Sequence, residues 1–204
     1  MRRGLLISAL LLCLPCTVFA GGLFSNGRFH IGLGWGGSGT VLTAHHYNYL
    51  DQSIGFRIDD SGTQFGFRPH GYAELSFVYD AGEHLTLAVA GGYEGLADGR
   101  CIVPFKARVS YYLSGIYSDG LFLSGESGVP VRKRSGNAFL VQAGPGYRLA
   151  LGGGCSMDFK LGVKMSYDHP KVWDPVEEEY ISARNILRNN ACYYALTLGV
   201  SLEF

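Results

Sequence analysis

The closing segment of the chain, Cys192 to Phe204, constrains the fold more than any other. Tyr194, Leu196, Leu198, Val200 and Leu202 are apolar at every second position, and Ala195, Thr197, Gly199, Ser201 and Glu203 between them are small or polar. Strict alternation with period 2 marks a strand whose two faces meet different surroundings. A soluble sheet with one wet face and a barrel wall with one lipid face both satisfy it, so the rest of the chain has to decide.

Arg2 and Arg3, the apolar run Leu5 to Leu14 and the pattern Val18-Phe19-Ala20 predict a secretory signal peptide over residues 1–20, cut after Ala20. Pro15 stands before Cys16 where a lipoprotein anchor needs a small residue. The mature part, residues 21–204, has no apolar run of the roughly 20 residues a membrane helix requires. Without Arg2 and Arg3 the seventeen basic residues become fifteen against seventeen acidic ones, a net charge of −2. That balance points away from nucleic acid and from a polybasic membrane-surface patch.

Thirty glycines, thirteen tyrosines and twelve phenylalanines show no Gly-X-Y or other fixed repeat. Glycine in strands weakens them unless something fills the space it leaves, and the crowded bore of a narrow barrel is a place where that happens. Cys101, Cys155 and Cys192 remain after the signal, an odd number that excludes a small disulfide framework. The spacing leaves open a Cys101–Cys192 bridge or unpaired thiols.

Alternation continues upstream. Strand one runs from about Arg28 to Trp35, with Phe29, Ile31, Leu33 and Trp35 on one face and Arg28, His30, Gly32 and Gly34 on the other. Strand two, Tyr72 to Tyr79, turns through Asp80-Ala81-Gly82-Glu83 into strand three, Leu85 to Tyr93; strand four covers Ile102 to Leu113, with Pro104 unable to donate near its start. Strand five, Leu121 to Val131, alternates least clearly. Strand six starts at Phe139, Gly152-Gly153-Gly154 turns the chain, and strand seven, Ser156 to Tyr167, alternates most cleanly. From Gly36 to Gly71 the pattern lapses into turn chemistry and reads as a long loop, with short patches such as Val41 to Ala44 able to extend strand one or form a hairpin. A second loop, Asp168 to Ala191, carries Val176, Tyr180, Ala183 and Leu187 at the spacing of a short helix.

Eight strands joined alternately by short turns and longer loops, with both chain ends on the turn side, is the plan of an all-β, up-and-down antiparallel transmembrane barrel. A ten-strand barrel stays open if Val41 to Ala44 and Gln64 to Arg68 add a hairpin. The outward aromatics sort into two rings: Trp35, Tyr93, Tyr167, Phe105, Phe139 and Tyr194 toward the loops, and Phe29, Tyr79, Tyr111, Tyr147 and Phe204 toward the turns. Two aromatic girdles are what a bilayer favours.

The runs Glu83 to Glu94 and Val103 to Leu113, with the ending Tyr194 to Phe204, resemble the small outer-membrane β-barrel proteins of the Bacteroidales, of the OmpA/OmpX eight-stranded type. The resemblance covers most of the mature chain and implies an outer-membrane location. A C-terminal aromatic strand of this kind implies recognition by the barrel-assembly machinery. Most members of that family have no assigned activity.

The inward positions hold Arg28, His30, Glu74, Glu94, Lys106, Arg108, Glu126, Arg148, Asp158, Lys160, Lys164 and Glu203. An eight-stranded bore is just wide enough for side chains to fill, and buried charges must pair, so a structural lumen network is expected. A narrow pore is the alternative. Outer-membrane lipid A deacylases and acyltransferases use barrels of similar size, but none of the histidines (His30, His45, His46, His70, His84, His169) shares an outward, membrane-level face with a Ser and an acid. His45-His46 with Asp51 suggests metal, yet adjacent residues of an extended chain point opposite ways. Glu177-Glu178-Glu179 reads as a solvated face, and Arg132-Lys133-Arg134 as a basic loop near lipid phosphate.

The sequence therefore predicts a monomeric outer-membrane barrel with a filled, ion-paired lumen, without catalytic residues, metal or cofactor. Its partners are outer-membrane lipid and lipopolysaccharide, not nucleic acid. Its role is structural or one of surface recognition through Tyr47, Tyr49 and Trp173 to Asn190.

Overall fold

The computed structural model describes residues 27–51, 55–97, 99–131, 137–174 and 178–204. The expected signal peptide, the basic loop Arg132 to Gly136, and Val176 and Glu177 lie outside the described residues.

Among the described residues eleven strands form in chain order: β1 (Phe29–Leu50), β2 (Arg57–Asp80), β3 (Leu85–Gly95), β4 (Cys101–Ile102), β5 (Pro104–Tyr112), β6 (Gly120–Pro130), β7 (Phe139–Gly152), β8 (Cys155–Asp168), β9 (Trp173–Asp174), β10 (Glu179–Tyr180) and β11 (Ile186–Glu203). Their order in the main sheet is β2-β1-β11-β8-β7-β6-β5-β3-β4, and β2 also pairs with β3. That last pairing closes the sheet. With β4 as the first step of β5, the wall is an antiparallel ring of eight strands, not ten. Closure removes sheet edges along the ring.

The strands break where the chemistry requires it. Pro104 lies opposite Pro130, neither of which has an N–H, and β4 and β5 separate at Val103. Gly152, Gly153 and Gly154 take φ of +83°, +64° and +83°, left-handed values that only glycine holds in succession without strain, and so reverse the chain between β7 and β8.

Two expected loops are ordered differently. Gly36 to Leu50 continues β1 and Arg57 to Gly71 continues β2 upward as a paired ribbon, and β11 begins at Ile186 and pairs along it. The register slips between Thr40 and Leu42 on both sides, a β-bulge that bends the wall where it leaves the barrel. Above that point both faces meet solvent, so hydrophobic alternation has no reason to persist. Asp168 to Ala191 holds no α-helix among its described residues; it contains the β9–β10 hairpin and a single 3₁₀ turn, Ala183–Asn185. The apparent helical spacing there failed because Tyr180 belongs to β10 and Leu187 to β11.

Inside and outside are inverted relative to a soluble protein. On β8 and β11, Val163 and Leu198 are 63% and 65% exposed, whereas Asp158 and Lys164 on the same β8 are 1% and 5% exposed. Small apolar clusters close the bore at both ends: Leu96, Ile102 and Leu140 toward the loops, and Tyr112, Ile116 and Phe122 toward the turns.

A candidate functional site in the barrel lumen

The charged side chains collect between those two apolar clusters, because strand parity points them into the bore and the opposing walls bring them together. Arg108 and Glu126 are cross-strand partners on β5 and β6. Glu74 lies one strand further, on β2, beyond β3. The lumen side of β3 carries only Thr86, Ala88, Ala90 and Gly92 below Glu94, which leaves Arg108 a clear path across it to Glu74. The Arg108 guanidinium also donates from Nε to Glu126 Oε2 at 2.8 Å. Lys106 joins both carboxylates, pairing with Glu74 and lying 3.3 Å from Glu126 Oε1. Two acids and two bases thus form one buried quartet.

A second group sits nearer the turns. Arg148 on β7 grips its cross-strand partner Asp158 on β8, pairs with Glu203 of β11 and donates from Nη1 to the Ile116 carbonyl at 2.9 Å. The Tyr112 ring stacks 4.1 Å from the Arg148 guanidinium carbon, and its hydroxyl donates to Asp158 Oδ2 at 3.1 Å. Toward the loops, Lys164 of β8 reaches across the bore to Glu94 Oε1 at 2.5 Å and Ser38 Oγ at 3.3 Å. Arg100 and Asp168 pair at 2.8 Å at the same end.

Lys160 lies among Glu74, Asp158, Glu203 and Arg108, beside a cavity of about 10 Å³ within the charged zone. That is room for about one water. Glu74, Glu94, Glu126, Asp158 and Glu203 therefore face Lys106, Arg108, Arg148, Lys160 and Lys164: five carboxylates and five cations. Balance of this kind is what makes burial of so many charges tolerable.

Two inward residues fall outside this zone. Arg28 is exposed, because it precedes β1 and its parity carries it past the barrel end. His30 lies at the turn-side mouth, where its Nε2 and the Tyr117 hydroxyl both approach Asp80 Oδ2 at 2.8 Å. A cavity of about 110 Å³ opens there, lined also by Cys155, Ser156 and Glu203. Burial and the Asp80 carboxylate raise the Tyr117 phenol above its ordinary value. Tyr112 faces the lumen, as its parity with Lys106, Arg108 and Ser110 on strand four predicts; Asp80 reads from the sequence as a turn residue, and Phe122 shares the inward parity of Ser124 and Glu126 on strand five, the signal that it too faces the lumen.

At the bore's loop end, His70 Nε2 lies 3.0 Å from the Thr40 hydroxyl, and among the described residues no acid is bound to His70 Nδ1. Further out, His45 turns toward Asp60 and His46 toward Asp59, on opposite faces of the ribbon. No group of three or more metal-ligating side chains is found among the described residues. Cys101, Cys155 and Cys192 are free thiols. Cys101 and Cys192 sit on β4 and β11, opposite sides of the ring, which separates the pair that the sequence left open.

Among the girdle aromatics, Phe29 and Tyr79 meet at 5.0 Å, as do Phe139 and Tyr167 at 5.5 Å, across neighbouring strands. Trp35 and Tyr93 flank Ala73 in one row, and Phe105, Tyr111, Tyr147 and Tyr194 project outward beside them around the ring. Phe204 bonds its backbone to Ile31, which fixes the end of β11 against β1.

Fold and lumen together define a closed eight-stranded antiparallel barrel, apolar outside and charged within. No protein-family profile matches the chain, and no curated protein sequence matches it. Solved structures with a similar strand arrangement include Neisserial surface protein A (NspA), at 12% identity over 88% of this chain and 98% of that one, with a TM-score of 0.45. The outer membrane protein OprG from Pseudomonas aeruginosa aligns at 11% identity over 87% of this chain and 96% of its own, TM-score 0.49. A Pseudomonas aeruginosa FadL homologue aligns at 12% identity over 87% of this chain and only 49% of its own, TM-score 0.34.

Proposed function

We propose that this chain is a non-enzymatic integral barrel of the bacterial outer membrane, with a filled lumen held by ion pairs. The observation that carries the reading is the inversion of β8 and β11, whose valines and leucines are exposed while their charges are buried. Exposed apolar surface of that extent costs too much in water, at roughly 25 cal/mol per Å², and is at home only in hydrocarbon. β3 and β5, at 11 and 9 residues, have the length of tilted membrane-crossing strands.

The turn end then faces the periplasm and the loop end the outside. The lipid of the outer membrane and lipopolysaccharide surround the wall, and the assembly machinery engages β11 through Phe204. The barrel is monomeric and serves envelope integrity or recognition at the cell surface, through the upper ribbon with Tyr47 and Tyr49 and the segment from Trp173 to Asn190. The sequence phrases in β3, β5 and β11 support a place among the small barrels of the Bacteroidales. Heat-modifiability on SDS gels combined with membrane fractionation tests the reading. Unboiled protein from the outer-membrane fraction should migrate apart from boiled protein, and recovery in the soluble fraction with no mobility shift would end it.

A further inference from the structure

Five consecutive strands of the ring, β2, β1, β11, β8 and β7, place Asp80, His30, Glu203, Ser156 and Arg148 around the cavity at the turn-side mouth. Its volume of about 110 Å³ is several times the roughly 10–15 Å³ that one water needs. The donors in its wall are already engaged. Arg148 gives Nε and Nη2 to Asp158, Nη2 also to Glu203 and the Tyr112 hydroxyl, and Nη1 to the Ile116 carbonyl. His30 Nε2 and the Tyr117 hydroxyl both go to one oxygen of Asp80, Oδ2.

The acceptors are not engaged. Asp80 Oδ1 and Glu203 Oε1 receive no hydrogen bond from any described residue. The Ser156 hydroxyl, on a residue only 8% exposed, has no partner among them either. All three oxygens belong to residues that line the cavity, and none of them is sealed away from open space. Charge points the same way. Asp80 is a sixth carboxylate beyond the five-to-five balance of the bore, held by an imidazole and a phenol.

A ligand for this recess must bring positive charge and several N–H donors on a small head. A metal ion does not meet the geometry, since no three ligating side chains converge among the described residues. A primary ammonium does: it is compact and carries three donors and no acceptor, matching three oxygens. The Tyr117 ring, 66% exposed at the rim, leaves apolar surface for the carbon that follows the nitrogen.

We propose that the turn-side cavity binds a primary ammonium group through Asp80, Glu203 and Ser156. A free small amine and the ethanolamine end of a phospholipid present the same head. The site belongs to the lumen wall and does not depend on what surrounds the barrel.

The test uses the full barrel in maltoside micelles, with ethylammonium chloride as the probe and backbone amide shifts at Asp80, Ser156 and Glu203 as the readout. These shifts should saturate together, with a dissociation constant on the order of millimolar, the range open to a ligand this small. Gly91, higher in the wall, should stay still. Tetramethylammonium, with the same charge and no N–H, should move none of them, and this comparison needs no variant. S156A should weaken binding about tenfold, the worth of one hydrogen bond to a charged group, and S156L, which fills the recess, should abolish it. Unboiled gel mobility checks that both variants are folded. Shifts without a plateau, equal shifts from tetramethylammonium, or parental binding in folded S156A and S156L would overturn the proposal and leave a recess that holds water. Nanodiscs then separate the sources. Shifts that appear in phosphatidylethanolamine but not in phosphatidylcholine, and that ethylammonium reverses, assign the headgroup; ethylammonium binding without them assigns a free amine.

Discussion

Arg148 and Asp158 face each other across adjacent strands as a two-pronged pair, Nε to Oδ1 at 2.7 Å and Nη2 to Oδ2 at 2.8 Å, with Asp158 only 1% exposed. Arg148 also neutralises Glu203 and stacks on Tyr112. Its replacement strands two carboxylates in the bore at once. The R148M variant should lose about 3–5 kcal/mol, the usual cost of breaking a buried pair from one side. Urea unfolding of the refolded barrel in micelles measures it. A triple variant, R148M with D158L and E203L, should recover much of the loss, since apolar side chains of similar size remove the orphaned charges. A single variant within 1 kcal/mol of the parent, about the worth of an exposed pair, would show that these charges are not buried together.

Ion flow through the wild-type barrel should be absent. Around Glu74, Lys106, Arg108 and Lys160 the cavity in mid-bore is about 10 Å³, the wider one of about 110 Å³ lies at the turn-side mouth, and buried apolar clusters around Leu140 and Phe122 flank the charged zone. Purified protein in planar bilayers should give no stable single-channel steps. Shortening the two plugs together, L140G with F122G, should introduce them. Steps of uniform size from the unaltered protein would mean that the bore is a conduit.

The parts of this molecule legible in its sequence are those where two solvents meet. From Tyr72 to Tyr79, or Ser156 to Tyr167, an exposed apolar face on one side and packed polar side chains on the other enforce alternation, and each residue's side follows from parity. Above the bulge at Thr40–Leu42 both faces of the ribbon are wet, so strand and loop look alike in composition. Which charges meet was also hidden. Arg108 reaches Glu74 over the small residues of β3, and Lys164 reaches Glu94 across the bore; both depend on stagger between strands, which no single strand encodes. Arg28 shows the reverse failure, since correct parity placed it inward at a position where the wall has not yet begun.

Thiol chemistry offers a check on the ring order. Cys101 and Cys192 are carried by β4 and β11 on opposite sides of the barrel, and Cα atoms more than about 7 Å apart cannot be bridged without moving backbone. Oxidation of dilute folded protein should give no intramolecular disulfide between them. Non-reducing peptide mass mapping after unfolding should recover both as labelled free thiols. A Cys101–Cys192 linked peptide from monomeric protein would contradict the strand order itself.

At the tip of the ribbon, His46 Nε2 lies 2.8 Å from Asp59 Oδ1, and Asn48 Nδ2 donates to Asp59 Oδ2 at 3.0 Å. The His46 contact first, and then Asn48, hold the Asp59 carboxyl below its ordinary value of 3.8. A carboxylate depressed in the folded state contributes stability that is fully present above its unfolded value and disappears as pH falls through the folded one. The contribution of Asp59 to the ribbon tip should therefore be intact down to the ordinary carboxylate range and be lost below it. Carbon-detected titration of the Asp59 side chain, with amide exchange at Tyr47 and Asn48 as the structural readout, follows both. H46A combined with N48A should move the Asp59 midpoint up toward 3.8 and bring the onset of fast exchange to higher pH with it. An unchanged midpoint in that double variant would detach the ribbon's acid sensitivity from this contact, and a barrel wall that lost protection in step with the tip would show that the two do not open independently.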